Sequence, residues 1–269
     1  MKKVVLFDMD GTLTEPRQKM EINMEQSLKE LQEAGYEIGI ITGSDMDYVK
    51  QQCCGLFDLS LVDASKIHFL PCNGTKYIFN GETIYERNMR DYMGEPRWDT
   101  LMRLLVMSQH HLLCNHSYHF PITGHFFNYR GSMVNWCPIG RNATHSDRET
   151  WESVDKEHKI RELMLEDLKK HISNLINFTG DLAVSDVEII VKYGGDTSFD
   201  IFPKGWDKTY VLEKTDIFSD YDEIHFIGDR CEPNGNDYEI YMHPKTIAQQ
   251  TKNVEDTIRR VHRIIYNYV

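Results

Sequence analysis

Two aspartates, Asp8 and Asp10, stand two residues apart directly behind a short apolar run, Val4–Phe7. Carboxylates so placed at a strand's end can share one metal ion, one through its side chain and the other through its backbone carbonyl. The second side chain is then free for general acid/base work. Gly11 permits a tight turn after them, and the amides that follow, from Thr12 on, can hold phosphate oxygens. Thr42 and Ser44 could donate hydroxyl hydrogen bonds to a phosphoryl group, although Thr42-Gly43-Ser44-Asp45 is also a good turn and helix cap. Lys208, in Gly205-Trp206-Asp207-Lys208, could neutralise charge between a nucleophile and a phosphate. Gly228-Asp229, with Asn236-Asp237 eight residues on, adds carboxylates for a metal site. Singly, each has a plain explanation as a turn, a cap or a solvated charge. Four such signals in this order are hard to dismiss together.

The elements that must position these residues can be read from periodicity. Val4–Phe7 reads as a buried parallel strand, and Ile22–Ala34 as a helix with Ile22, Leu28 and Leu31 at helical spacing, stopped by Gly35. Glu37–Ile41 and His68–Leu70 are further strands. Lys76–Phe79 and Glu82–Tyr85 flank Asn80-Gly81, a strong two-residue hairpin signal. Late in the chain, Glu223–Ile227 is another apolar strand, followed by a helix over about 253–268. Strand and helix alternate at both ends, which predicts an α/β fold with a doubly wound parallel sheet and strand ends gathered at one edge. The middle differs: helices over about 97–109 and 156–172, and strands at Phe126–Tyr129, Met133–Trp136 and Val187–Lys192. An α+β domain at 86–202, inserted into a core made of 1–85 and 203–269, is the expectation.

Composition narrows the partners. The formal net charge of −12 argues against binding a nucleic-acid backbone, yet a pocket can still concentrate arginines for a small anion. No run of about 18 apolar residues suggests a membrane span, and the opening residues are too short an apolar run for a signal peptide. The cysteines lack a repeating spacing and read as reduced thiols, so the expected compartment is the cytosol. Five histidines, His110, His111, His116, His119 and His125, read as polar surface rather than a metal cluster.

The order of nucleophile loop, Thr/Ser strand end, lysine and acidic loop resembles the haloacid dehalogenase superfamily. More closely, the chain resembles the eukaryotic-type phosphomannomutases, on FDMDGTLTEPRQK (7–19), FNYRGSMVNWCPIGR (127–141), SFDIFPKGWDKTY (198–210) and FIGDRCEPNGNDYEIY (226–241). The resemblance implies a core of that superfamily with an inserted α+β cap. It implies Asp8 as nucleophile, Asp10 as acid/base, and Mg²⁺ on Asp8, Asp229 and the Asp10 carbonyl. Lys208 with Thr42 or Ser44 would contact the transferred phosphate. Arg17 would reach the substrate from the core, while Arg130, Arg141, Arg148, Ser198 and Asp200 would hold the distal phosphate and sugar hydroxyls. A homodimer through the cap is also implied, although residues 87–125, which include that interface, follow no family pattern. Pro71-Cys72-Asn73-Gly74 replaces the family's Pro-Glu-Asn-Gly, and Thr42-Gly43 its Gly-Gly. His243 stands where a second cation site normally has Asp.

A mutase must hold a bisphosphate while it reorients, so both phosphate sites need cations. The core lysine and the three cap arginines would supply them. The expected substrate is thus a hexose phosphate and the activity a phosphomannomutase's, primed by hexose 1,6-bisphosphate. A sugar-phosphate phosphatase on the same fold is the alternative, and a non-catalytic binder is disfavoured by the intact Asp8 and Asp10.

Overall fold

Apolar runs become strands where both faces of a sheet are covered, and the computed structural model shows this for residues 1–57, 61–115, 117–178 and 187–266. The first stretch holds β1 (Lys3–Phe7), α1 (Ile22–Glu33), β2 (Tyr36–Ile41), α2 (Met46–Gln52), β3 (Ile67–Leu70), β4 (Lys76–Phe79) and β5 (Glu82–Glu86). The middle holds α3 (Met89–Met93), α4 (Glu95–Cys114), β6 (Phe127–Tyr129), β7 (Val134–Trp136), α5 (His145–His158), α6 (Ile160–Phe178), β8 (Ile189–Gly194) and β9 (Ser198–Pro203). The chain finishes with α7 (Tyr210–Glu213), β10 (Glu223–Gly228), α8 (Tyr238–Tyr241), β11 (Ile247–Gln250) and α9 (Val254–Tyr266). By their contacts these elements form two compact units, Met1–Glu86 with Gly205–Val269, and Arg87–Lys204.

In the first unit the described strands form one sheet ordered β11-β10-β1-β2-β3-β4-β5. It is parallel from β11 to β3 and antiparallel from β3 to β5. Side chains of β1 alternate between two apolar layers. Val5 and Phe7 pack with Met24, Leu28 and Leu31 of α1 and Val261 and Ile264 of α9. Val4 and Leu6 pack on the other face with Val211, Leu212 and Ile240 from α7 and α8. Covering both faces explains why β1, β3 and β10 are almost wholly buried rather than alternating. The register aligns Phe7 with Ile40 of β2 and Ile227 of β10, so three strand ends meet at one edge. On β3, His68 bonds Tyr77 at 2.8 Å and Glu37 at 2.7 Å.

The expected hairpin is present: Asn80 and Gly81 take φ of 49° and 79°, as a two-residue turn of this type requires. The middle unit carries a four-stranded sheet among its described residues, β6-β7-β9-β8, antiparallel throughout. One expectation fails here, and one strand is new. The single helix over 156–172 is instead broken at Lys159, whose φ of +54° ends α5, and α6 starts one residue later. The break is held by Asp155, whose carboxylate accepts from the Arg161 backbone at 2.7 Å and from its Nε at 2.6 Å. Strand β9 was not anticipated as a strand because burial on nearly every residue hides any alternation. Helix α4 extends beyond the expected 97–109 at both ends. His110, His111, His119 and His125 are exposed, in keeping with a polar surface, while His116 lies outside the described residues.

Candidate active site

The first cluster forms where β1, β2 and β10 end. Asp8 follows β1 and is nearly fully buried, its N–H donating to the Ile227 carbonyl at 2.9 Å. The chain then turns: the Met9 carbonyl accepts from Leu13 at 2.9 Å and Thr14 at 3.0 Å, while Gly11 takes φ +80°. A Cβ on Gly11 would lie 2.5 Å from a carboxylate oxygen of Asp229, so glycine is needed for close approach as well as for the turn. Gly228 plays the same part for Asp237, whose carboxylate oxygen would sit 2.5 Å from a Cβ there.

Lys208 is 1% exposed, and its ammonium lies between two carboxylates. Its Nζ donates to Asp237 Oδ1 at 2.6 Å and to Asp8 Oδ1 at short range. Asp237 Oδ2 accepts from the Arg230 N–H at 3.1 Å. Burial alone would lower the Lys208 pKa, but the Asp237 and Asp8 carboxylates outweigh it and raise it. Burial pushes the Asp8 carboxyl well above its ordinary value, against the pull of Lys208 and with help from Asp237 and Asp229. Asp229 is pushed up to about 6, by burial first and then by Asp237. One oxygen from each of Asp8, Asp229 and Asp237 can be chosen so that all lie within 4.8 Å of one another. Three hard carboxylate donors gathered this closely suit a divalent cation such as Mg²⁺.

Asp10 takes no part with its side chain in that group. Its Oδ1 accepts from the Tyr48 hydroxyl at 2.9 Å, and burial raises its pKa against that hydrogen bond. The third member of the carboxylate group is Asp237, one of the acids behind β10. Thr42 is buried, with its Oγ1 accepting from the Ser44 N–H at 3.1 Å. The loop after β3 holds this corner: Cys72 N–H donates to the Ser44 carbonyl at 2.8 Å and Asn73 N–H to that of Thr42 at 2.7 Å. Cys72, Asn73 and Gly74 are all left-handed, with φ of 52°, 59° and 77°. Arg17 is exposed, at φ +65°.

The second cluster lies in the inserted unit. Asn135 of β7 faces Asp200 of β9 in register and donates to its Oδ1 at 2.7 Å. Arg141 Nη1 donates to Asn135 Oδ1 at 2.6 Å. Arg148 Nη1 donates to Thr197 Oγ1 at 2.6 Å, and its Nη2 to the Arg141 carbonyl at 3.4 Å. Arg141, Arg148 and Asp200 are thus linked through Asn135, the Arg141 backbone and the start of β9, where Ser198 is buried beside Thr197. Gly194 makes room for this, since a Cβ there would meet the Asp200 carboxylate at 2.9 Å. Arg130, at the β6–β7 turn, donates its backbone N–H to the Met133 carbonyl at 2.9 Å. Planar guanidinium groups held this way suit a phosphate, which they can grip with two parallel hydrogen bonds.

Sequence reasoning singled out neither Tyr48, Asn135 nor Thr197. The usable signal for Tyr48 was Asp45, which caps α2 by accepting the Tyr48 N–H at 2.9 Å and so fixes that residue in the first helical turn. Asn135 lies within the 127–141 segment, but its pairing with Asp200 depends on a β7–β9 register that spacing does not give.

Similarity to known proteins accords with this geometry. The model of the family described as eukaryotic phosphomannomutase matches residues 24–267. The chain belongs to the eukaryotic phosphomannomutase family. Among its relatives, a phosphomannomutase of Drosophila melanogaster is 36% identical over 263 residues, covering 97% of this chain and 95% of the relative. Phosphomannomutases of Arabidopsis thaliana and Schizosaccharomyces pombe are 33% and 32% identical, covering 96% and 98% of this chain and 94% of each relative. At the level of fold, an Aspergillus fumigatus trehalose-6-phosphate phosphatase superposes with a TM-score of 0.54 at 12% identity, covering 99% of this chain and 93% of its own. A Plasmodium falciparum IMP-nucleotidase gives 0.60 at 11% identity, covering 99% and 69%. This chain thus has the haloacid-dehalogenase-like α/β fold expected from the sequence.

Proposed function

We propose that the protein interconverts mannose 6-phosphate and mannose 1-phosphate, with Asp8 as the phosphoryl carrier, and so supplies mannose 1-phosphate for GDP-mannose synthesis. The observation that supports this reading is a set of cations in each unit: the buried Lys208 beside Asp8 in one, and the half-buried Arg141 with Arg148 in the other. A bisphosphate held during reorientation needs both. With Asp8 phosphorylated by the bisphosphate primer, a free hydroxyl of the sugar monophosphate attacks the aspartyl-phosphate, gives its proton to Asp10 and leaves a hexose 1,6-bisphosphate with Asp8 restored. After the bisphosphate reorients, an Asp8 oxygen attacks its other phosphorus, the bond to that sugar oxygen breaks, and Asp10 passes its proton to that oxygen, releasing the isomeric monophosphate. Lys208 stays charged and offsets the anionic phosphate as it approaches the carboxylate. Thr42 and Ser44 donate to the transferred group, and Arg17 contacts the sugar phosphate from the core. Arg130, Ser198 and Asp200 complete the distal site with the two arginines.

Mg²⁺ on Asp8 and Asp229, with the Asp10 carbonyl and Asp237 at hand, would supply charge screening between nucleophile and phosphate. Asp229→Ala should therefore raise the Mg²⁺ concentration needed for half-maximal activity at least about tenfold, a loss of one charged contact. Full activity of the wild type in excess chelator would defeat the metal reading. Hexose 1,6-bisphosphate is the expected activator. The six cysteines are all free thiols, which supports a cytosolic setting. No described helix is long and apolar enough to cross a membrane. Val106 and Met107 of α4 are exposed, which supports a homodimer through the inserted unit.

Product analysis tests the function directly. Mannose 1-phosphate with a trace of hexose 1,6-bisphosphate should yield mannose 6-phosphate, and little should form without the primer. Free mannose and inorganic phosphate, regardless of primer, would mark a sugar-phosphate phosphatase. Arg141→Ala separates the two readings further. Loss of a charge-assisted phosphate contact should cut mutase activity by about 10- to 150-fold. Hydrolysis of p-nitrophenyl phosphate, which has no distal phosphate, should hardly change. Equal loss in both reactions, at an unchanged thermal midpoint, would remove the distal-phosphate role.

A further inference from the structure

The hydroxyl of Tyr48 is held from both sides. Its oxygen accepts the Arg17 N–H at 3.2 Å, and it donates to Asp10 Oδ1 at 2.9 Å. A phenol has one hydrogen to give, so with the Arg17 amide pointing at its oxygen, that hydrogen is directed to the carboxylate. Arg17 adopts φ +65°, a conformation few non-glycine residues take, and the turn it makes delivers the amide. The ring has little freedom to turn away. Asp45 fixes the Tyr48 backbone in the first turn of α2, the next residue, Val49, is fully buried, and the ring packs against the apolar layer beneath β1. All these groups lie within the first unit.

We infer that Tyr48 is a positioning residue that commits Asp10 Oδ1 to a hydrogen bond and leaves Oδ2 to carry the transferred proton. This rests on the acid/base reading of Asp10 given above. A carboxyl whose Oδ1 already accepts a donor carries its own proton on Oδ2. As the phosphorus–oxygen bond breaks, that proton goes from Oδ2 to the departing sugar oxygen. When the next hydroxyl attacks the aspartyl-phosphate, its proton returns to Oδ2. Tyr48 keeps its own hydrogen throughout and touches neither sugar nor phosphate. The same hydroxyl ties the loop bearing Arg17 to the acid/base, so a shift of that loop would also shift the proton's aim.

The test compares two phosphate donors on Tyr48→Phe, which keeps the ring and removes only the hydroxyl oxygen. The leaving sugar oxygen of hexose 1,6-bisphosphate needs a proton, whereas p-nitrophenyl phosphate releases a phenolate that does not. Single-turnover phosphorylation of the enzyme by hexose 1,6-bisphosphate should slow about ten- to a hundredfold, the value of a hydrogen bond to a charged group, with the half-saturating concentration near wild type. The burst of p-nitrophenol should keep its wild-type rate. Equal slowing with both donors would mean the tyrosine supports the fold or Asp8, and would overturn the inference, as would no slowing with either. Asp10→Asn is the parallel measurement. The same split, and a deeper one, is expected there; its absence would show that the acid/base reading itself had failed and take the inference with it. A split in Asp10→Asn but not in Tyr48→Phe would sink the tyrosine's role alone.

Discussion

Asp8→Asn is expected to abolish turnover of every phosphate ester while the protein stays folded and is no less stable than the wild type. An amide cannot attack phosphorus, so the chemical step is lost outright. The stability half of the expectation comes from electrostatics. Burial, with Asp237 and Asp229 nearby, raises the folded-state pKa of Asp8 above its unfolded value despite Lys208. For a carboxyl shifted that way, the ionised form opposes folding, and the penalty grows as pH rises towards the folded-state value. Removing the charge lifts that penalty, and Lys208 still has Asp237 as a partner. Activity assays on two substrates and a thermal melt in chelator would check both halves. Residual turnover of more than a few per cent would displace Asp8 as the carrier, and a much lower melting point would show that its charge stabilises the site.

Lys208→Met should have the largest effect on stability. The side chain is similar in length, so packing is largely kept, but Asp8, Asp229 and Asp237 lose the ammonium among them. Breaking a buried pair and leaving the partner charges uncompensated costs about 3–5 kcal/mol. The pH dependence identifies the cause. Asp229 is already pushed up to about 6, above its value in the unfolded chain, so its contribution is favourable at low pH and is lost as pH rises through that value. Lys208 holds the Asp8 and Asp229 carboxyls down, so without it these two shift further in the same direction. The deficit relative to wild type should therefore be greatest near pH 8 and shrink as pH falls below 6. Urea unfolding in chelator at several pH values measures it; a deficit that does not vary with pH would mean the loss is one of packing.

Much of this was legible in the sequence, for identifiable reasons. Strands buried on both faces leave continuous apolar runs, so β1, β2, β3 and β10 could be placed, and the glycines and acids behind them marked the strand ends. Asn80-Gly81 specified its turn by local chemistry alone. Distance in sequence hid the rest. Lys208 lies 200 residues from Asp8, and nothing in Gly205-Trp206-Asp207-Lys208 says that its ammonium is enclosed. Tyr48 looks like any aromatic residue in a short helix until the Asp10 loop, 38 residues earlier, folds against it. Lys159 ends a helix with no glycine to announce it, because Asp155 and Arg161 satisfy the exposed backbone.

The order of the strands also bears on how the chain is made. β1 lies between β2, which follows it closely, and β10, whose Glu223 pairs with Lys3 across 220 positions. At roughly 5–20 residues per second on the ribosome, β1 would wait on the order of ten to forty seconds for that partner. Its apolar edge stays open for that interval, a strand margin able to pair with another chain. The inserted unit, from Arg87 to Lys204, is contiguous and can gather its own contacts as soon as it emerges. A nascent chain would therefore carry a folded middle ahead of an unfinished core, and shielding of that first half-sheet by a chaperone would matter most before β10 appears.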